Sequence, residues 1–264
     1  MKSNYKLEIL ERIPKVQTSK KILLFIHGAQ VGAWTYDYFL DYFESKGFSC
    51  YALSLRGHGQ SEGYEDIDQF GLDDYVEDVL SVVKKLDHKP ILIGHSMGGA
   101  IVQRYLRDYQ DTIDSAILLS SAVYGGIHQE SPLGMFFSDS RSFLRKLRNE
   151  HKNQNITLET LMKDVVLSPR FTDQEIKIIR GKFTKESQKV KQDLMKPFLP
   201  MDFKLNIKVH VIGSTDDLIV GLNEINQTAT GMNTTPIILT ELCHFLTIDP
   251  NWIKVAEAIE TILK

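Results

Sequence analysis

Gly94-His95-Ser96-Met97-Gly98-Gly99 is the stretch on which the reading of this chain turns. An apolar run, Pro90-Ile91-Leu92-Ile93, leads into it, and Ala100-Ile101-Val102-Gln103-Arg104-Tyr105-Leu106, with a helical pattern, leads out. Strand, sharp turn and helix follow one another, with a serine at the tip. Glycines on both sides of that serine let strand and helix approach closely, so the Ser96 side chain projects from the turn. An ordinary glycine-rich strand–helix turn has the same local look. The chemistry that follows it along the chain separates the two readings.

Outward from this turn, strand and helix patterns alternate. Lys21-Ile22-Leu23-Leu24-Phe25-Ile26 reads as a buried strand, and residues 35–45 as an amphipathic helix carrying Tyr38, Phe39, Tyr42 and Phe43. Residues 48–53 read as a second strand, 72–86 as a helix with apolar residues at helical spacing, and 115–120 as a further buried strand. Such alternation predicts an α/β fold, a mostly parallel sheet flanked by helices. From Ala122 to Pro200 the pattern is helical without a strong strand, punctuated by Pro132, Pro169, Pro197 and Pro200. Alternation resumes at Ile207–Ile212 and closes with a strand over 235–240 and a helix over 252–263. The expected organisation is a core in two parts, residues 1–121 and 201–264, with residues 122–200 inserted as a helical cap.

The 264 residues are 42% hydrophobic, enough to bury a substantial core. A net charge of -3 supplies no global basic field, so nucleic acid is not an expected partner. The two cysteines, Cys50 and Cys243, lie far apart and form neither a CxxC pair nor a zinc-type cluster, so no metal is expected on them. Residues 1–8 lack the apolar stretch of a signal peptide, and no apolar run approaches the ~18 residues of a membrane span. The expectation is a soluble, cytoplasmic protein.

A serine at its ordinary pKa is a weak nucleophile. It needs a base in contact, and an imidazole base needs an acid to fix its tautomer. His244, between the last strand and the last helix, is the base candidate. His210 lies within a strand, and His88, His128 and His151 lack the loop context. The acid is expected in Gly213-Ser214-Thr215-Asp216-Asp217, just past a buried strand, where Asp216 and Asp217 compete. Backbone donors for an oxyanion are expected from Met97, directly after the serine, and from Ala29 in the loop after the early strand. Gly28 allows the backbone to turn near a substrate, and His27 is expected to organise that loop. In the helical segment, Phe136 and Phe143 recur at helical spacing and are candidates for lining an acyl pocket. Arg141, Arg145, Lys146, Arg148 and Lys152 form a basic cluster that suits a solvated face or transient contact with a lipid surface.

Taken together, several segments resemble the α/β-hydrolase superfamily in its capped serine-hydrolase branch. They are His27-Gly28 with Trp34, Leu55-Arg56-Gly57-His58-Gly59-Gln60-Ser61, Gly94–Gly99, Gly213-Ser214-Thr215-Asp216 and Cys243-His244-Phe245. The Arg56–Gly63 stretch is similar to the monoacylglycerol lipase and lysophospholipase-like group. The resemblance implies a Ser96–Asp216–His244 triad, because the family's acid usually lies three residues after the glycine ending the strand. It also implies a small-molecule acyl ester as substrate, hydrolysed through an acyl-enzyme without a cofactor. C–C bond hydrolysis, thioester hydrolysis, lyase chemistry and ligand binding without turnover are the alternatives on the same fold. Serine at position 96 departs from the epoxide hydrolases and haloalkane dehalogenases, which carry aspartate there.

Overall fold

The computed structural model describes residues 5–16, 18–150, 156–200 and 202–264. The core elements in chain order are β1 (Ile9–Arg12), β2 (Ile22–Ile26), α1 (Asp37–Ser45), β3 (Ser49–Leu53), α2 (Leu72–Val83), β4 (Pro90–His95), α3 (Met97–Tyr109) and β5 (Ser115–Leu119). Four helices follow: α4 (Pro132–Glu150), α5 (Leu158–Leu161), α6 (Asp173–Gly181) and α7 (Gln188–Leu194). The chain ends with β6 (Lys208–Ser214), α8 (Leu222–Gly231), β7 (Ile237–Leu239) and α9 (Ile253–Leu263). Among the described residues no strand lies between β5 and β6.

The strands form one seven-stranded sheet in the order β1-β3-β2-β4-β5-β6-β7. All neighbours pair in parallel except β1, which joins β3 antiparallel. Burial on both faces explains the apolar strands. Leu24, Ile26, Leu92 and Leu118 point to the face packed with residues of α2 and α3. Leu23, Phe25, Ile91, Ile93, Ile117 and Leu119 point to the opposite face, with residues of α1 and α9. The period-two alternation of strand side chains divides them in this way.

The strand order places the site. From β2 the chain moves outward to β3, then returns past β2 to β4. Loops after β2 and β4 therefore leave adjacent strands toward opposite sides, which opens a crevice at their carboxyl ends. Ile26 pairs with Gly94 in register, so the loop starting at His27 begins beside the turn at Ser96.

Helix α4 is broken at Asp139, whose φ and ψ of -155° and 96° are not helical. The Asp139 carboxylate accepts from the Arg141 and Ser142 amides at 3.0 and 3.1 Å, so it caps the second half of the helix. No helix among the described residues is long and apolar enough to cross a membrane.

Candidate active site

Ser96 sits between the last residue of β4 and the first of α3, with φ 53° and ψ -115°. A positive φ is costly for a residue with a Cβ, so the surrounding packing must impose it. The glycines show how. A Cβ on Gly94 would overlap the Gly98 carbonyl, and a Cβ on Gly98 would overlap the carbonyl oxygens of Ile26 and His27. Strand, turn and helix are in backbone contact, and no larger residue fits between them. Serine at a helix N-cap ordinarily accepts from an amide in the first turn. Ser96 makes no such bond. Its Oγ instead lies 3.0 Å from His244 Nε2.

His244 is 3% exposed, in the loop between β7 and α9. Its Nδ1 lies 2.9 and 3.2 Å from the two carboxylate oxygens of Asp217. The expectation that Asp216 meets the histidine is therefore corrected: the adjacent residue does. Strand β6 runs past Gly213 to Ser214, so the turn starts one residue later than the glycine suggests. Asp217 is buried, and its Oδ1 also accepts from the Ile219 and Val220 amides, each at 2.9 Å. Burial raises the Asp217 carboxyl, but the charge and hydrogen bond of His244, helped by those two amides, outweigh it. The net direction is below the ordinary carboxylate range, so Asp217 stays ionised. Asp216 faces the other way. Its Oδ2 accepts from Thr215 Oγ1 and from the Glu241 amide, each at 2.7 Å, tying the β6 turn to the loop that carries His244.

Two further histidines hold backbone. His95 Nε2 donates to the His244 carbonyl at 2.7 Å, fixing the base loop against β4. His27 Nδ1 donates to the Gly28 carbonyl at 2.7 Å, and its Nε2 accepts from the Leu55 amide at 3.0 Å. Burial, followed by a neighbouring imidazole, pushes both down to about 3, so both work as neutral rings. His27 organises its loop, in line with the sequence expectation. The role of His95 was not visible in the sequence, because its partner is a main-chain carbonyl 149 residues away.

Gly28 lies hard against the turn. A Cβ there would come 3.2 Å from the Ser96 Cβ and 3.0 Å from His95 Nδ1. The loop carrying Ala29 thus approaches the serine from the β2 side. Met97 is the first residue of α3, directly after Ser96, a position whose amide has no carbonyl partner one turn back within a helix. Phe136 and Phe143 are buried and meet edge to face at a centroid distance of 6.3 Å. Of the basic cluster, Arg141, Arg145 and Lys146 are exposed and Arg148 is half-buried, while Lys152 lies outside the described residues.

Two charged groups of the helical segment, the partly exposed Arg170 and the buried Glu186, reach the site loops, and neither was anticipated from the sequence. Arg170 makes two bonds to the Asp249 carboxylate, at 3.2 and 2.7 Å, and Asp249 accepts from the Cys243 amide at 3.0 Å, next to His244. Glu186 accepts from Gln30 N at 3.0 Å and lies 3.1 Å from His58 Nε2. His58, like Arg56, belongs to the Arg56–Ser61 stretch, and Arg56 pairs with the buried Asp78 at 2.7 Å. Among the described residues no group of three or more His, Cys, Asp or Glu could hold a metal ion.

Residues 17–250 match the family model described as serine aminopeptidase, S33 (Hydrolase_4). The AB hydrolase superfamily protein YisY of Bacillus subtilis (strain 168) is 35% identical over 106 residues, 38% of this chain and 37% of that protein. The pFDCC methylesterase MES16 of Arabidopsis thaliana is 34% identical over 102 residues, 38% of each. The matched stretch thus spans under two-fifths of either relative's length. Among solved structures, the monoacylglycerol lipase of Paleococcus ferrophilus superposes with a TM-score of 0.71 at 20% identity, covering 96% of both chains. With a mostly parallel sheet, a serine on the turn after its central strand and a family-model match over nearly its whole length, this chain belongs to the serine aminopeptidase S33 family of the α/β-hydrolase superfamily.

Proposed function

We propose that this chain is a serine hydrolase that cleaves a carboxylic ester of small or medium acyl length through an acyl-enzyme. The observation that carries the reading is the hydrogen-bonded line from Ser96 Oγ through His244 to the ionised Asp217. Ser96 Oγ attacks the ester carbonyl carbon while His244 Nε2 takes the hydroxyl proton. Asp217 holds Nδ1–H and stabilises the imidazolium that forms. The Met97 and Ala29 amides donate to the developing oxyanion. As the adduct collapses, His244 gives its proton to the leaving alkoxide, releasing the alcohol and leaving the acyl group on Ser96. A water then loses a proton to His244 and attacks the acyl carbon, and the same proton returns to Ser96 Oγ as the acid departs. Side chains, main-chain amides and water suffice for each step.

Two of the similar proteins, a methylesterase and a monoacylglycerol lipase, carry names that denote ester cleavage, which supports the substrate class. We assign acyl selection to residues 122–200 as a cap, with the Phe136–Phe143 pair as part of its apolar lining. We also assign the protein to the cytoplasm, on its two buried free cysteines. Hydrolysis of a p-nitrophenyl ester series from acetate to palmitate, with Ser96→Ala alongside, tests the reading. Turnover by the parent with a loss of about 10⁶ in kcat in the variant is expected. Undiminished turnover by the variant overturns the assignment.

A further inference from the structure

We infer that Glu186 is a positioning residue for the reaction: its buried carboxylate, reaching in from the helical segment, fixes the peptide that follows Ala29 and thereby aims the Ala29 amide. The inference rests on Ala29 being an oxyanion donor, as proposed above.

The loop after β2 is held at three successive peptides. The Gly28 carbonyl accepts from His27 Nδ1 at 2.7 Å. A planar trans peptide points its C=O and N–H in opposite directions, so this bond also orients the Ala29 N–H. The next peptide is held by the Gln30 N–H, which donates to Glu186 Oε2 at 3.0 Å. The third is held by the Gln30 carbonyl, which accepts from the Thr184 amide at 2.8 Å. The first anchor comes from the sheet, and the other two come from the segment between α6 and α7. Gln30 itself has a φ of 65°, a left-handed conformation that a residue with a side chain leaves readily when its anchors go. Ala29 stands between the two sets of anchors.

Glu186 is itself fully engaged. Its Oε2 faces Gln30 N and His58 Nε2, and its Oε1 accepts from Tyr75 Oη at 3.1 Å and from Ser187 N at 2.8 Å. It is 1% exposed. A buried carboxylate costs far more than an apolar side chain that would dock the helical segment equally well. What a carboxylate achieves and an apolar group does not is to hold a backbone N–H in one direction. Gly28, two residues before that N–H, lies against the serine turn, so a fixed Gln30 peptide holds the loop at Ala29 beside Ser96.

The test is the rate at which a fluorophosphonate modifies Ser96, which needs the serine, its base and the oxyanion donors but no particular substrate. Glu186→Ala, Glu186→Gln and a control, Glu175→Ala, are compared with the parent. Glu175 lies in the same segment, where its carboxylate caps α6 through Thr172. Glu186→Ala is expected to slow labelling about tenfold or more, a fraction of the full loss of one oxyanion donor, with the control within about twofold. Glu186→Gln keeps the shape but turns an NH₂ toward two of the four donors, so an intermediate rate is expected. In ester turnover the loss should fall on kcat and leave KM nearly unchanged. Labelling of Glu186→Ala within about twofold of the parent, or a rise in KM alone, overturns the inference. Should Glu186→Ala fail to fold, Glu186→Gln labelled at the parent rate does so by itself. Slowed labelling without turnover of any ester would discard ester hydrolysis as the activity and keep the positioning role. Ester turnover with unchanged labelling would do the reverse.

Discussion

The sheet and the helical segment between β5 and β6 meet the site by different physics. On the sheet side, the reacting groups are set by ladder register, backbone contact and neutral histidines. Ser96 N donates to the Leu119 carbonyl at 3.0 Å, extending the ladder past β4, and His95 and His27 hold main-chain atoms as uncharged rings. On the helical side, two of the links are charged, Arg170 with Asp249 and Glu186 with His58, beside the main-chain bond from Thr184 to Gln30. Sheet geometry should therefore be insensitive to pH and intolerant of added volume. The attachment of the helical segment should be sensitive to charge.

The largest expected effect lies on the sheet side. Asp217→Asn should lower kcat by about 10⁴, through loss of the tautomer and of imidazolium stabilisation, while Asp216→Asn should cost less than about tenfold. Steady-state kinetics of the two variants decides between the neighbours, and equal losses would erase the distinction drawn between them. Next comes volume. Gly98→Ala drives a methyl into the Ile26 and His27 carbonyls and should lower stability by about 2–4 kcal/mol. Chemical denaturation measures this, and an unchanged midpoint would mean that the turn yields more easily than its contacts imply. Breaking a charged link should cost less. Arg170→Met leaves the buried Asp249 without its cation and should cost about 2 kcal/mol, below the value for a fully buried pair because a third of the arginine is exposed. If Arg170→Met proves as stable as the parent, that link is ornamental.

The smallest effect is a slope with pH. Burial raises the Glu186 carboxyl, but the His58 charge and hydrogen bond, with the Gln30 and Ser187 amides, outweigh it and hold the group low. Burial lowers His58, and Glu186 outweighs that too, so His58 titrates above its ordinary range. A depressed carboxyl stabilises the fold above about 4.3 and loses that contribution as pH falls through its folded value. A raised imidazole stabilises below about 6.5 and loses that contribution as pH rises through its folded value. The pair's share of the urea midpoint, taken as the difference between the parent and His58→Asn at each pH, should therefore be highest between those limits and decline above about 6.5. A parent midpoint that declines no more steeply than that of His58→Asn must owe its decline to another source.

Much of the sheet was legible because buried parallel strands are continuous apolar runs, as in Leu23–Ile26 and Pro90–Ile93. β1 was not, because Ile9-Leu10-Glu11-Arg12 is a short, half-exposed edge strand with mixed side chains. Ser96 and His244 could be picked out because each occupies a loop whose position follows from the alternation of elements. The choice between Asp216 and Asp217 depended on where β6 ends, a boundary that a single glycine does not mark. The helical segment's charged links were illegible for a plainer reason. Glu186 meets partners 111, 128 and 156 residues away, and no local pattern announces such a meeting.

The positive φ of Ser96 also bears on how the folded state can be counted. Nothing local favours that conformation, and an isolated strand–turn–helix peptide would relax out of it. It exists only when β4 and α3 are docked against β2 and the β5 ladder is in place. A newly made or partly unfolded chain therefore carries an ordinary alcohol at position 96. A serine-directed probe, added in pulses during refolding, would register completed molecules alone and serve as a clock for assembly.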